Sequence, residues 1–241
     1  AERRDYRQVV LEDRLHNAMA EINPHIPAEA LDDALRQITQ TPSPSLIENN
    51  RRFHRMLTDG VDVSYMSDGR EVFEKVWLLN LDNPEENDWL AVNQFTVVED
   101  KRPRRPDVLV FINGLPLAII ELKNPTGEKA TIEKAYDQLQ TYKRDIPGLF
   151  SYNELMIVSD GFNARSGTLT AGWDRFMPWR SADGRELAPK GSLELAVLLK
   201  GVFAKRRFLD LILNFMVFDD DGAEIHKKVA GYHQYFAVNK A

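Results

Sequence analysis

The chain has 241 residues, 43% of them hydrophobic and 28% charged, which is enough to bury a sizeable core in one or two domains. It has no apolar run of 18 residues and no signal-like start, so neither a membrane span nor export is expected and a cytoplasmic location is. The absence of cysteine excludes disulfides and thiolate metal sites, and a net charge of −6 excludes a generally basic nucleic-acid binder.

Residues 6–22 carry Val9, Val10, Leu15, Ala18 and Ile22 at mostly helical spacing and stop at Asn23-Pro24. Residues 27–38 read as a second helix, with Ala30, Leu31, Ala34, Leu35 and Ile38 on one side. A Pro/Ser connector leads to a third, 46–57, with Ser45 as its candidate cap and Thr58-Asp59-Gly60 as its stop. Residues 1–60 are thus expected to form a helical lead-in packed on a core built from the later residues. The period then changes. Residues 61–65, 72–79 and 91–98 are β-rich runs, separated by Ser67-Asp68-Gly69 and an acidic loop over 82–88.

The most informative stretch is RRPDVLVFINGLPLAIIELK, residues 104–123. It reads as two apolar strands joined at Asn113-Gly114, the second so uniformly apolar that both its faces should be covered. Asp107, Glu121 and Lys123 fall into this setting, where an unpaired charge costs on the order of several kcal/mol. Glu121 and Lys123 share a strand face. A two-residue turn sets Asp107 opposite Ile120, away from Glu121. A three-residue loop, Ile112-Asn113-Gly114, sets it opposite Ile119 with Glu121 as its same-face diagonal neighbour, and this is the register expected. Two carboxylates beside an ammonium would make an oxygen-rich site for Mg²⁺.

Beyond it, 130–144 reads as a helix with Ala135, Leu139 and Tyr142 on one stripe, and 155–159 as a short strand. The strand, strand, helix, strand order predicts an α/β core, a mixed central sheet flanked by helices. Trp173, Phe176 and Trp179 either stack on unpaired bases or pack under a long loop, the commoner fate of such residues. Residues 193–203 and 206–215 return to helix.

Pro106-Asp107, then Glu121-Leu122-Lys123, resembles the PD-(D/E)xK nuclease motif, and Gln138-Leu139-Gln140-Thr141-Tyr142 resembles the QxxxY element of RecB-like nucleases. More specifically, DNPEENDWLAVNQFTVVED, RRPDVLVFINGLPLAIIELKNP and GYHQYFAVNKA are similar to the N-terminal part of the restriction (R) subunit of Type I restriction-modification systems. That resemblance covers essentially the whole chain. It implies a PD-(D/E)xK restriction-endonuclease-like core over 61–218, and a Mg²⁺-dependent endonuclease acting on double-stranded DNA. Catalysis would rest on Asp107, Glu121 and Lys123, with Asp107 and Glu121 as metal ligands and Gln138 and Tyr142 in support. The alternatives are another RecB-like repair nuclease and a catalytically silent DNA-binding or docking module.

Lys101, Arg102, Arg104 and Arg105 lead directly into the PD strand and are the candidate DNA contacts; Arg51-Arg52 with Arg55 and Lys205-Arg206-Arg207 are further basic clusters. The family often adds an acidic ligand from an early helix, for which Glu12, Glu48 or a residue before Ala1 would qualify. None of the five histidines has metal-ligand spacing. Residues 219–241 read as a linker and the truncated start of a helicase-like motor, with Gln234 as a remnant of the segment that reads adenine. No Walker A pattern comes after it, so ATP belongs to a full-length motor only. The chain, which starts at Ala1 rather than Met, is expected to be a fragment or a processed form. The expected partners are DNA and the methyltransferase (M) and specificity (S) subunits, with no membrane.

Overall fold

The computed structural model describes residues 2–124 and 131–240. Three helices open the chain: α1 (Glu12–Ile22), α2 (Ala28–Thr39) and α3 (Leu46–Asp59). A separate hairpin comes next, β1 (Val61–Ser67) and β2 (Arg70–Val76). Then come β3 (Trp89–Asn93), β4 (Val97–Glu99), β5 (Arg102–Arg104), β6 (Val108–Ile112) and β7 (Leu115–Leu122). After the helices α4 (Ile132–Asp145) and α5 (Pro147–Phe150), β8 (Leu155–Ser159) and β9 (Ala164–Gly167) complete the sheet. Two helices, α6 (Glu194–Val202) and α7 (Lys205–Asn214), a hairpin of β10 (Met216–Asp220) and β11 (Ile225–Val229), and α8 (Tyr232–Val238) close the chain.

The central sheet has the order β3-β6-β7-β8-β9, with β7 and β8 parallel and the other neighbours antiparallel. This is the mixed sheet expected from the pattern, and helices flank it. Residues 115–121 of β7 are all buried, as an uninterrupted apolar run requires. Each large side chain there contributes about 1.5–3 kcal/mol, so one strand can offset the cost of a buried carboxylate at its end.

The turn between β6 and β7 overturns the expected register. Ile112 pairs with Leu115, so the turn has two residues, Asn113 and Gly114, with φ of 52° and 78°. Asn113 suits the left-handed backbone and buries its amide, donating to the Leu78 carbonyl and Asn87 Oδ1, both at 2.8 Å. Gly114 is required for space as well, because a Cβ there would lie 2.4 Å from the Leu11 carbonyl oxygen. Two residues later the ladder slips: Phe111 pairs with Pro116, but Val110 pairs with Ala118. The extra residue, Leu117, forms a bulge beside a proline that has no N–H to give to the ladder. Continued past Val108 and Ile120, the bulged register sets Asp107 directly across from Glu121.

Other boundaries moved for local reasons. The first helix starts at Glu12, not at residue 6, because Val9, Val10 and Leu11 are buried in a non-helical segment whose Leu11 N–H bonds the Gly114 carbonyl at 2.9 Å. The expected 72–79 strand ends at Val76, where the Asn23 side chain takes over both the N–H and the carbonyl of Trp77 at 2.9 Å. The expected 91–98 strand splits in two at Gln94, whose φ is 55°.

Trp173 and Phe176 stack at 6.3 Å, and Trp179 packs against Tyr235 of α8 at 6.0 Å, so these aromatics are packing residues. Of residues 219–241, expected as a linker and a truncated motor start, the described ones hold the end of β10, all of β11 and α8, which pack on the rest. Lys227 of β11 is wholly buried, its backbone N–H donates to Thr170 Oγ1 at 2.8 Å, and Tyr235 donates to Asp210 at 2.8 Å.

Candidate active site

Asp107 stands just ahead of β6 and Glu121 at the end of β7, so the bulge brings both carboxylates to one end of the sheet. Asp107 Oδ2 accepts from the Leu122 backbone N–H at 2.8 Å, and Oδ1 accepts from Gln94 Nε2 at 2.9 Å. Lys123 Nζ donates to Glu121 Oε1 at 2.9 Å from a side chain that is 25% exposed. Glu121 is only 3% exposed, and among the described residues its Oε2 is buried with no hydrogen-bond partner.

Burial pushes the Glu121 carboxyl above the ordinary carboxylate value, and the Asp107 charge adds to the rise, while the hydrogen bond and charge of Lys123 oppose it. Tyr142 lies in the same field. Burial, then the charges of Glu121 and Asp107, and a hydrogen-bonding approach to the Glu121 carboxylate that falls short of a full bond raise its phenol, so it remains a neutral hydroxyl, within 3.5 Å of the Arg105 carbonyl. Gln138 sits one turn earlier on the same side of α4 and is half-buried.

The basic run divides. Lys101 occupies the β4–β5 turn with φ of 63° and is exposed, as is Arg105. Arg102 and Arg104 instead pair with the buried Asp145 of α4, at 3.1 and 2.5 Å. Glu12 and Glu48 are not brought to the carboxylate pair. α1 meets the turn end of the β6–β7 hairpin, roughly 20 Å of strand from Glu121 at about 3.3 Å per residue. Glu48 accepts from Ser43 ahead of α3. Gln234 caps α8, its Oε1 accepting from the Gly231 N–H at 2.8 Å. Of the loop 124–128 that follows Lys123 and is expected near the site, residues 125–128 lie outside the described residues.

Sequence reasoning missed Gln94, which belongs to neither motif. Its one signal was a polar residue just past the end of the Trp89–Asn93 strand, two positions after Val92.

Among the described residues no group of three or more His, Asp or Glu side chains is arranged to hold a metal. Asp107 and Glu121 still suit a hard divalent cation. They carry two negative charges against one lysine, and the unpartnered Glu121 Oε2 needs a positive neighbour. Mg²⁺ takes one or two carboxylates and fills the remainder with water and phosphate oxygens.

A family model described as the Type I restriction enzyme R protein N terminus matches residues 1–175. The chain belongs to this family. Over 243 residues it is 38% identical to the Type I restriction enzyme HindI endonuclease subunit of Haemophilus influenzae, covering 99% of this chain and 23% of that protein. It is 32% identical over 259 residues to a putative Type I restriction enzyme endonuclease subunit, MjaIXP, of Methanocaldococcus jannaschii, covering all of this chain and 24% of the relative. The chain therefore spans about a quarter of the length of these R-subunit relatives. Among its described residues, no helix is long and apolar enough to cross a membrane.

Proposed function

We propose that this R-subunit region supplies a Mg²⁺-dependent endonuclease centre that hydrolyses phosphodiester bonds of double-stranded DNA. The observation that carries the reading is the pair Asp107 and Glu121, set side by side with an oxygen that is buried and unpartnered among the described residues and a lysine bonded to one of them. Asp107 and Glu121 would hold the cation, which when bound supplies positive charge to the phosphate oxygens and to a water.

The chain's own groups account for the remaining steps. Lys123 has three N–H donors, of which one bonds Glu121 among the described residues, and the ammonium would offer the others to the attacking water and a non-bridging phosphate oxygen. The water oxygen attacks phosphorus, one P–O ester bond breaks, and the departing oxygen takes up a proton. Tyr142 stays protonated beside Glu121, and Gln138 sits one turn earlier on the same side of α4. Arg105, exposed two residues ahead of Asp107, and Lys101, exposed in the β4–β5 turn, would be the DNA-backbone contacts, while Arg102 and Arg104 fix that hairpin to α4. In the whole protein, ATP would serve a motor lying outside this stretch, and M and S subunits would be the partners in a cytoplasmic complex.

The test is cleavage of supercoiled plasmid by the full-length R subunit assembled with its partners. Asp107→Ala and Lys123→Ala are each expected to lower cleavage by at least about a hundredfold, in line with losing a principal source of transition-state stabilisation. Parent-level cleavage in either variant would overturn the assignment.

A further inference from the structure

The chain leaves the central sheet after β3, and the residue that turns it is Gln94, at φ 55°. A left-handed backbone is unfavourable for a residue with a Cβ, and glycine or asparagine usually occupies it. Nothing about an exit from a strand calls for glutamine. What glutamine does here is directed at one neighbour. Its backbone N–H donates to the Asp107 carbonyl at 2.9 Å, and its Nε2 donates to Asp107 Oδ1 at 2.9 Å.

The second carboxylate oxygen, Oδ2, is held by the Leu122 N–H at 2.8 Å. The Asp107 carboxylate is therefore clamped from the exit of β3 on one oxygen and from β7 on the other, which fixes its plane. Both donors are uncharged. A lysine or arginine in place of Gln94 would orient the carboxylate equally well but would also neutralise it, whereas an amide fixes it and leaves its full charge for a cation. Each oxygen keeps lone-pair capacity beyond the single bond it accepts.

We infer that Gln94 is a positioning residue that sets the Asp107 carboxylate for the divalent cation, an inference that rests on the Mg²⁺ site proposed above. Partners that hold a ligating carboxylate typically govern metal affinity by about 10–100-fold. A residue serving the turn alone would behave differently, because glycine, free at positive φ, would replace it without loss.

The experiment is a calorimetric titration of this chain with Mg²⁺, with thermal midpoints measured on the same samples, for the parent, Asp107→Ala, Gln94→Gly and Gln94→Met. Gln94→Gly is expected to hold its thermal midpoint yet bind Mg²⁺ roughly 10–100-fold more weakly, and Gln94→Met, which keeps the length of the side chain without its donor, to weaken binding similarly. Asp107→Ala is expected to abolish binding. Parent-like affinity in both Gln94 variants alongside lost binding in Asp107→Ala overturns the role of Gln94 and leaves the metal site standing. No binding by the parent, or parent-like binding by Asp107→Ala, overturns the metal site and the role of Gln94 with it.

Discussion

Glu121 and Glu154 are both buried glutamates in contact with a lysine, Lys123 at 2.9 Å and Lys227 at 2.6 Å, and each keeps one oxygen without a hydrogen-bond partner among the described residues. Their surroundings differ in the sign of the next charge. Beyond Glu121 lies another carboxylate, Asp107, and its lysine is a quarter exposed. Beyond Glu154 lies His54, with Nδ1 at 2.8 Å, and the wholly buried Lys227 bonds Asn50 and the Asn153 carbonyl as well. Burial pushes the Glu154 carboxyl up, but the charges and hydrogen bonds of Lys227 and His54 outweigh it and hold it below its ordinary value. The same burial lowers the Lys227 ammonium, so the carboxylate, paired with that ammonium and in contact with His54 Nδ1, is the partner held ionised more firmly. An unpartnered oxygen is therefore not by itself a place for a metal. At Glu121 it sits in excess negative charge and invites a cation; at Glu154 the charge is already met, and the cluster joins β11 to α3 and the start of β8.

The largest expected effect falls on the closed cluster. Glu154→Ala leaves Lys227 buried and unpaired, and should cost about 3–5 kcal/mol in denaturant unfolding. Replacing both partners, Glu154→Leu with Lys227→Met, should restore most of that stability, since a buried ion pair contributes little net against packed apolar side chains. A double variant as unstable as the single one would show that the cluster does more than satisfy its own charges.

The open pair should respond with the opposite sign to pH. The Glu121 pKa is raised in the fold, so its protonated form favours folding; that contribution is full below the unfolded value near 4.5 and is lost as pH rises through the raised value. Glu121→Gln should thus match or exceed the parent in stability at neutral pH, with the gap closing on acidification. Glu154, lowered, contributes stability above 4.5 that is lost as pH falls through its folded value, so Glu154→Gln should be destabilised at neutral pH and converge with the parent in acid. Unfolding curves across pH check both. For the same reason Mg²⁺ affinity should rise with pH through the raised Glu121 value, because the proton and the metal compete for one carboxyl.

The smallest effects separate the arginines of the basic run. Arg105→Ala should weaken DNA binding at every sequence and reduce the salt slope by about one, the signature of one lost phosphate contact. Arg104→Ala should instead lower the thermal midpoint, because Arg104 donates to Asp145 through Nε at 2.9 Å.

How far the fold was legible in the sequence depends on the range of each interaction. The β-rich runs, the place of the Asn-Gly turn and α4 were legible because period and turn chemistry are local, but the turn's length was not: three residues were expected and two are found. Asp107, Glu121 and Lys123 stood out because charges in an apolar run are conspicuous. The early helix boundary failed because Val9, Val10 and Leu11 look helical in a local reading but are buried in a non-helical segment whose Leu11 N–H bonds Gly114 in the β6–β7 turn, a partner about a hundred residues away. Arg102 and Arg104 looked free until α4 brought Asp145 to them.

Local pattern was enough to give the class of the fold, the two strands that carry the charges, and the place of the turn at Asn113-Gly114, though not its length. Long-range packing decided that Asp107 lies directly across from Glu121 and not diagonal to it. The turn alone would have set Asp107 opposite Ile120; the extra residue at Leu117 moved it across from Glu121. A bulge depends on how a proline-bearing strand is received by both of its neighbours, and Leu117 is fixed from the other side, its carbonyl accepting the Glu154 N–H at 2.7 Å. That bond joins segments far apart in the chain, so no local pattern in the sequence announces it.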